Sequence, residues 1–365
     1  YQLIFSAFLL FSNAYLVKAN SDILSQDSTG KYCINTEQDY YNFIENIQNY
    51  NNKTVILCND IDISDVPEAT SSFGGILNGK GHTITYASKE AKENIAVFPF
   101  RINDNGIVEN INVQIDESYA YNSETDEFQT VFSRCDGIAK GITIKGNVTC
   151  IYDDEDTDVY IGAIEGNGTL MDSSIAITYD LQSEKTIEEI ADDIVDNDLS
   201  FEFCQLGTIN TGITYQNCIG YGQYSEAIKS LADELEPKIK DNTWGYLCVS
   251  FTRKSFFSTS ASATNCYYDK ENMPDIKIMS EYITNRDNNK EFPNYADFGK
   301  TTSEMKNQGT YEGFDFNKKW TISPEDNNGY PYYNPQTEEI TLKVQASTEP
   351  VSYTHLRAHE TPEHL

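Results

Sequence analysis

The first residue type that could do chemistry is a histidine in a glycine-rich loop: His82 lies in FGGILNGKGHTITY, residues 73–86. Such a loop could supply a general base or a phosphate cradle. Neither pattern closes. A dinucleotide fingerprint needs a third glycine and a helix after Gly79-x-Gly81. Here Thr83, Ile84, Thr85 and Tyr86 follow, which favour a strand. A phosphate loop needs Gly-Lys-Ser/Thr, and Gly79-Lys80-Gly81 does not supply it. Nucleotide binding is therefore excluded. His82 has no second histidine in the expected mature chain, and no Gly-x-Ser-x-Gly elbow is present. It reads as a hydrogen-bonding turn residue, so no catalytic set is assigned.

Carboxylates are the second candidate. Glycoside cleavage needs two of them, ~5 Å or ~6.5–9.5 Å apart, and a chain with 57 Asp and Glu cannot be excluded on composition. The densest cluster is DDEDTD, residues 153–158. Asp153, Asp154, Asp156 and Asp158 are calcium candidates, set against a solvated acidic loop, because EF-hand spacing and its central glycine are missing. A β-elimination would instead use a basic residue, and Arg134, Lys140 and Lys145 are candidates without a motif. No cofactor is expected. The tyrosines of NCYYD (265–269) and GYPYYN (329–334) offer either stacking surfaces for sugars and proteins or core and end-cap packing.

The formal net charge is -31. Such a surface repels nucleic acid and anionic lipid, and disfavours polyanionic substrates unless a cation bridges them. Residues 1–19 have the apolar run and small-residue site of a signal peptide, expected to lack its first residues. No later run is apolar enough to span a membrane. The eight cysteines contain no CxxC pair, which fits an exported, oxidised chain. Sequence-adjacent pairing is the expectation: Cys33 with Cys58, Cys135 with Cys150, Cys204 with Cys218, Cys248 with Cys266. Asn52, Asn147 and Asn167 head glycosylation sequons. Residues 20–31 read as a linker and 336–351 as an extension. Residues 352–365, SYTHLRAHETPEHL, resemble translated adapter read-through. His355, His359 and His364 in them are set aside.

Between these ends, Gly75, Gly106, Gly137 and Gly168 recur every 31 residues. GIVENINVQI and GIAKGITIKG carry apolar residues at the same offsets: Ile107, Ile111 and Val113, then Ile138, Ile142 and Ile144. A glycine corner followed by an alternating strand cannot bury its apolar face alone, whereas stacked copies can. The expectation is an all-β parallel solenoid over residues 32–335, with an antiparallel sandwich as its competitor. Thr36 should cap a helix carrying Tyr40, Phe43, Ile44 and Ile47. Residues 183–199 and 224–240 have helical periodicity and read as two excursions from the repeats.

SFGGILNGKGHTITY resembles the motif of the GLUG-motif surface proteins, with Phe73, Gly75, Leu77, Gly79, Gly81, His82 and Ile84 in its order. CINTEQDYYNFI, ATNCYYDKE and residues 300–333 resemble that family's capping helix, late coil and closing segment. The resemblance covers about residues 31–335. It implies an exported right-handed parallel β-helix with an N-terminal capping helix, adhesin-like, with no agreed catalytic residues. The reading is a secreted or cell-surface protein for adhesion or recognition of a protein or glycan, non-catalytic. The alternatives are a carbohydrate-active enzyme, lyase or glycoside hydrolase, and a structural cell-envelope component.

Overall fold

The computed structural model describes residues 24–334, apart from 65, 68, 70, 88–95, 122–128, 153–156, 208–211, 242, 254–260 and 289–291. The expected signal peptide, the extension and the tail lie outside these residues. Strand exceeds helix by 40% to 19%, and most strand pairs are parallel, which is compatible with an all-β fold. Sixteen described strands form one sheet, six a second and two a third.

The 31-residue spacing becomes strand register. Ile76 pairs with Ile107, Ile107 with Ile138 and Ile138 with Thr169. These are the residues that follow the repeat glycines. The carbonyl of Gly75 accepts the Ile107 amide at 2.9 Å, that of Gly106 the Ile138 amide at 3.0 Å, and that of Gly137 the Thr169 amide at 2.8 Å. A Cβ on Gly106 would come within 2.5 Å of the Phe73 carbonyl, and one on Gly137 or Gly168 would overlap the preceding glycine's carbonyl. These glycines are needed for room between backbones. Farther along each strand the apolar residues turn inward: Ile61, Ile84, Val113, Ile144 and Ile175 form one in-register column, each at most 4% exposed. The six-stranded sheet supplies another face, where Phe98 stacks on Phe132 with ring centroids 4.3 Å apart.

The helix Glu37–Glu45 closes one end of this core. Thr36 caps it by accepting the Asp39 amide at 3.2 Å, and Tyr40, Phe43 and Ile44 are buried. Phe43 meets Phe73 and Phe100 edge-on. Part of the expected linker is ordered: Leu24 is buried, and Ser25–Gln26 pairs antiparallel with Tyr32 and Cys33.

The two expected insertions are helices, Ile187–Asp196 and Glu226–Leu235. They do not project from the repeats as the sequence suggested. They pack on each other and bury Ile190, Ile194, Ile228, Leu231 and Leu235 in the main core. Each helix has an apolar stripe that must leave water, and tertiary packing supplies its cover, the other helix and the repeat core.

Cys33 bonds Cys58. The other six cysteines are buried thiols, so the three remaining sequence-adjacent pairings are corrected. Cys135 ends a strand of the six-stranded sheet, while Cys150 lies in the sixteen-stranded one. Register puts Cys204 beside Ser250, and Cys218 and Cys266 just before the paired Ile219 and Tyr267. Strand stacking, not sequence proximity, selects neighbours here.

Within the opening motif, Phe73, Ile76, Leu77 and Ile84 are buried. Gly75 abuts the Lys53 carbonyl, and Gly79 lies against Ile111 and the Asn110 carbonyl, with no space for a Cβ at either. Gly81 has open space around it but φ +82°. The two glycines should therefore fail differently. Gly79→Val should cost about 3 kcal/mol through overpacking, and Gly81→Ala about 1 kcal/mol through left-handed strain. Urea denaturation midpoints of the two variants, compared with the parent chain, measure the difference.

Candidate functional site

The residues singled out for chemistry are mostly occupied by structure. His82 Nδ1 lies 2.9 Å from Asp60 Oδ1, which also accepts the Thr83 amide at 2.9 Å. The Thr83 and His82 bonds hold the Asp60 carboxyl below its ordinary value. His82 thus ties its corner to the preceding strand connection. Asp153, Asp154 and Asp156 lie outside the described residues. Asp158 accepts the Ser200 amide at 2.6 Å and the Tyr160 hydroxyl at 3.1 Å. Among the described residues, no three His, Cys, Asp or Glu side chains are grouped to hold a metal. The sequon residues Asn52, Asn147 and Asn167 are exposed.

Arg134 pairs in register with Arg101, and both guanidinium groups hold one Asp136 oxygen, at 3.0 and 2.6 Å. Burial alone would raise the Asp136 carboxyl. The Arg134 bond and the two positive charges outweigh it and hold the group below its ordinary value. Lys140 faces Glu109, a buried carboxylate that burial pushes up while Lys140 and the 2.7 Å bond from Asn78 pull it down.

Lys145 is different. It stands on the strand Ile138–Tyr152 with Gln114 and Ala176 as its in-register neighbours. Tyr221, whose amide donates to the Ile175 carbonyl, stands on the next strand connection. Because Ala176 is small, a cleft of about 420 Å³ opens there, lined by Lys145, Ala176, Thr178, Tyr221, Gln223 and the loop residues Glu325, Asn327 and Asn328. Burial lowers the Lys145 ammonium from its ordinary value. Its Nζ donates to Asn327 Oδ1 at 2.5 Å, and Asn327 also donates to Tyr221 Oη at 3.0 Å. An adjoining cleft of about 450 Å³ shares Tyr221, Gln223 and Asn328 and adds Asn272, Lys306 and Tyr330.

The cleft exists only because residues 300–333 fold back over the sheet. The helix Thr302–Met305 starts with a capping box between Thr301 and Glu304. Trp320 then pairs with Tyr333 and packs with Phe314 and Tyr311 in a satellite core. The chain is pinned at Asp269, a fully buried carboxylate. It accepts the Tyr330 hydroxyl at 2.5 Å, Thr302 Oγ1 at 2.8 Å and Asn272 Nδ2 at 2.9 Å. The Tyr330 ring stacks on Tyr221, centroids 4.4 Å apart and 10° from parallel.

The tyrosine clusters foreseen as stacking surfaces are largely packed inside. Tyr267, Tyr268, Tyr330 and Tyr333 are all buried. The large apolar side chains left open among the described residues are Trp244, 47% exposed, and Tyr282, 52% exposed. They touch each other with centroids 4.6 Å apart and rings tilted by 58°. The Asp198 carboxylate fixes the Trp244 amide at 3.0 Å. Sequence reasoning missed this pair and the Lys145 cleft. In the sequence Lys145 is a candidate base without a motif, and its small in-register neighbour Ala176 is the sequence signal that could have placed it at a cleft.

No family model, curated protein or solved structure matches the chain. Two expectations follow from the site itself. As its carboxyl is held low, Asp136 contributes stability that is complete above the unfolded aspartate value of about 3.9. That contribution is lost as pH falls from there through the lower folded value. Asp136→Asn should flatten this acid limb of a urea-midpoint profile. Separately, Asp269→Ala should cost about 3 kcal/mol by stranding its donors. It should also raise hydrogen exchange across residues 301–333 while the repeat strands stay protected.

Proposed function

We propose that this chain is a secreted or cell-surface recognition protein built on a right-handed parallel β-helix, resembling the GLUG-motif surface proteins. Parallel pairing at constant 31-residue offsets supports the solenoid, and parallel crossovers are right-handed in the great majority of folds. The Cys33–Cys58 bond and the exposed sequon asparagines fit an exported chain. The observation that carries recognition is the Trp244–Tyr282 pair. Two adjacent aromatic rings half open to water cost apolar exposure and offer a platform for sugar rings or apolar side chains. The ligand is a glycan or a protein.

A second reading, a carbohydrate-active lyase, is favoured by one feature. Lys145 is a half-buried amine with a lowered pKa in the same cleft as the carboxylate of Glu325. That is the setting a proton-abstracting lysine requires.

A glycan array and a sugar-release assay separate the two. Recognition of a glycan requires array binding that falls about 10-fold when Trp244 and Tyr282 are both replaced by alanine, the two ring contacts together being worth about 1.4 kcal/mol. Release of new reducing or unsaturated ends that Lys145→Met abolishes would instead establish the lyase.

A further inference from the structure

The Lys145 cleft is an exception to the electrostatics of the molecule. Lys and Arg number 26 against 57 Asp and Glu, so carboxylates outnumber cations by more than two to one, and several cations are paired with one. Lys185 meets Asp193 at 2.8 Å, Lys319 meets Asp172 at 3.2 Å and the buried Arg253 meets Glu202 at 2.6 Å. Lys145 is half-buried, yet its hydrogen-bond acceptor among the described residues is the neutral amide oxygen of Asn327. Its strand neighbours, Gln114 and Ala176, are neutral too. A desolvated ammonium balanced only by an amide dipole gains when an anion enters.

The rest of the lining defines what the anion is attached to. Thr178, Tyr221, Gln223, Asn327 and Asn328 present hydroxyl and amide groups that both donate and accept. Glu325, exposed at the cleft, accepts only. One fixed cation, several two-way polar groups and one acceptor match a hydroxylated ring carrying one carboxylate. The volume, about 420 Å³, suits a small ligand and not a polymer strand. Glu325 and the acidic surface would repel a dense run of charge.

We propose that this cleft binds the carboxylate of an acidic sugar unit, with Lys145 pairing the carboxylate and the amides of Asn327, Asn328 and Gln223 meeting the ring hydroxyls. The inference rests on the recognition reading and gives it a ligand class. It concerns a surface formed by residues other than Trp244 and Tyr282.

Calorimetric titration with methyl galactosiduronate, a single sugar ring carrying one carboxylate, and with methyl galactoside, in which a hydroxymethyl group replaces that carboxylate, tests it. The acid form should bind the parent chain at least 10-fold more tightly. Lys145→Met should erase that preference, Lys145→Arg should keep most of it, and Ala176→Phe, which fills the floor, should abolish binding of the acid form. Equal binding of the two forms, or a preference that survives Lys145→Met, overturns the inference. So does a glutamate-rich peptide that binds as tightly as the acid sugar. In each of these cases array binding sensitive to Trp244 and Tyr282 would still uphold recognition. Loss of array binding, with the acid preference intact in the Trp244/Tyr282 variant, would leave the cleft standing and remove the aromatic platform.

Discussion

Gly75, Gly106 and Gly137 each give their carbonyl to the amide that follows the next repeat glycine, and the rest of the molecule depends on that close approach. A side chain at Gly106, Gly137 or Gly168 would stand where the neighbouring backbone already is. Backbone contact at this corner fixes the register of every strand that leaves it. A one-residue slip would turn Ile111, Ile142 and Ile144 out of the core. The column therefore selects both the pairing and the identity of the buried face. Burial of that face, at about 25 cal/mol per Å² of apolar surface, then holds the strands together.

A second column turns the chain a few residues later. Asn110, Gly141, Asp172, Asn217 and Asn265 occupy equivalent register positions, and all have left-handed φ between 49° and 63°. Asn and Asp tolerate that conformation better than other side-chain-bearing residues. Their side chains also link the stack: Asn265 donates to Asn217 at 3.3 Å, and Asn217 to Asp172 at 3.0 Å. The next position carries Ser173, Cys218 and Cys266. Each donates its hydroxyl or thiol to the carbonyl two residues back, at 2.7, 3.4 and 3.4 Å. The two cysteines thus do at their corners what serine does at the one before. This gives them a role as thiols, which counting an even number of cysteines could not suggest.

The same geometry explains how far the sequence could be read. Where successive passes are equal, as from Ile76 to Thr169, the glycine spacing is the register itself, and the strand pairs can be anticipated. The pairing of Thr169 with Thr214 and of Tyr215 with Ala263 is hidden, because the helices Ile187–Asp196 and Glu226–Leu235 lengthen those passes. Helical periodicity revealed that the helices exist, but not that they pack into the core, because amphipathicity does not name the partner surface. The cleft was less legible still. Lys145 and Asn327 are separated by 182 positions, and no local pattern ties a strand lysine to a loop asparagine. Trp244 and Tyr282 meet through loop and helix placement that neither composition nor period encodes.

The closing segment joins these two levels. It is held to the repeats by a buried carboxylate at Asp269, by the Lys319–Asp172 ion pair on the left-handed column, and by Tyr333, whose ring lies against Gly141 of the same column. Gly141 is consequently constrained twice, by its φ of +63° and by the ring above it. The loop that this segment carries supplies Glu325, Asn327 and Asn328 to the cleft, so the site is assembled only when the segment is docked. Any ligand held between Lys145 and that loop must bind the docked state in preference to the undocked one. By mass action it then stabilises the docking in proportion to the logarithm of its concentration above the dissociation constant. Occupancy of the cleft by a ligand would therefore be linked to closure of the satellite core, which Asp269 holds through three side-chain hydrogen bonds.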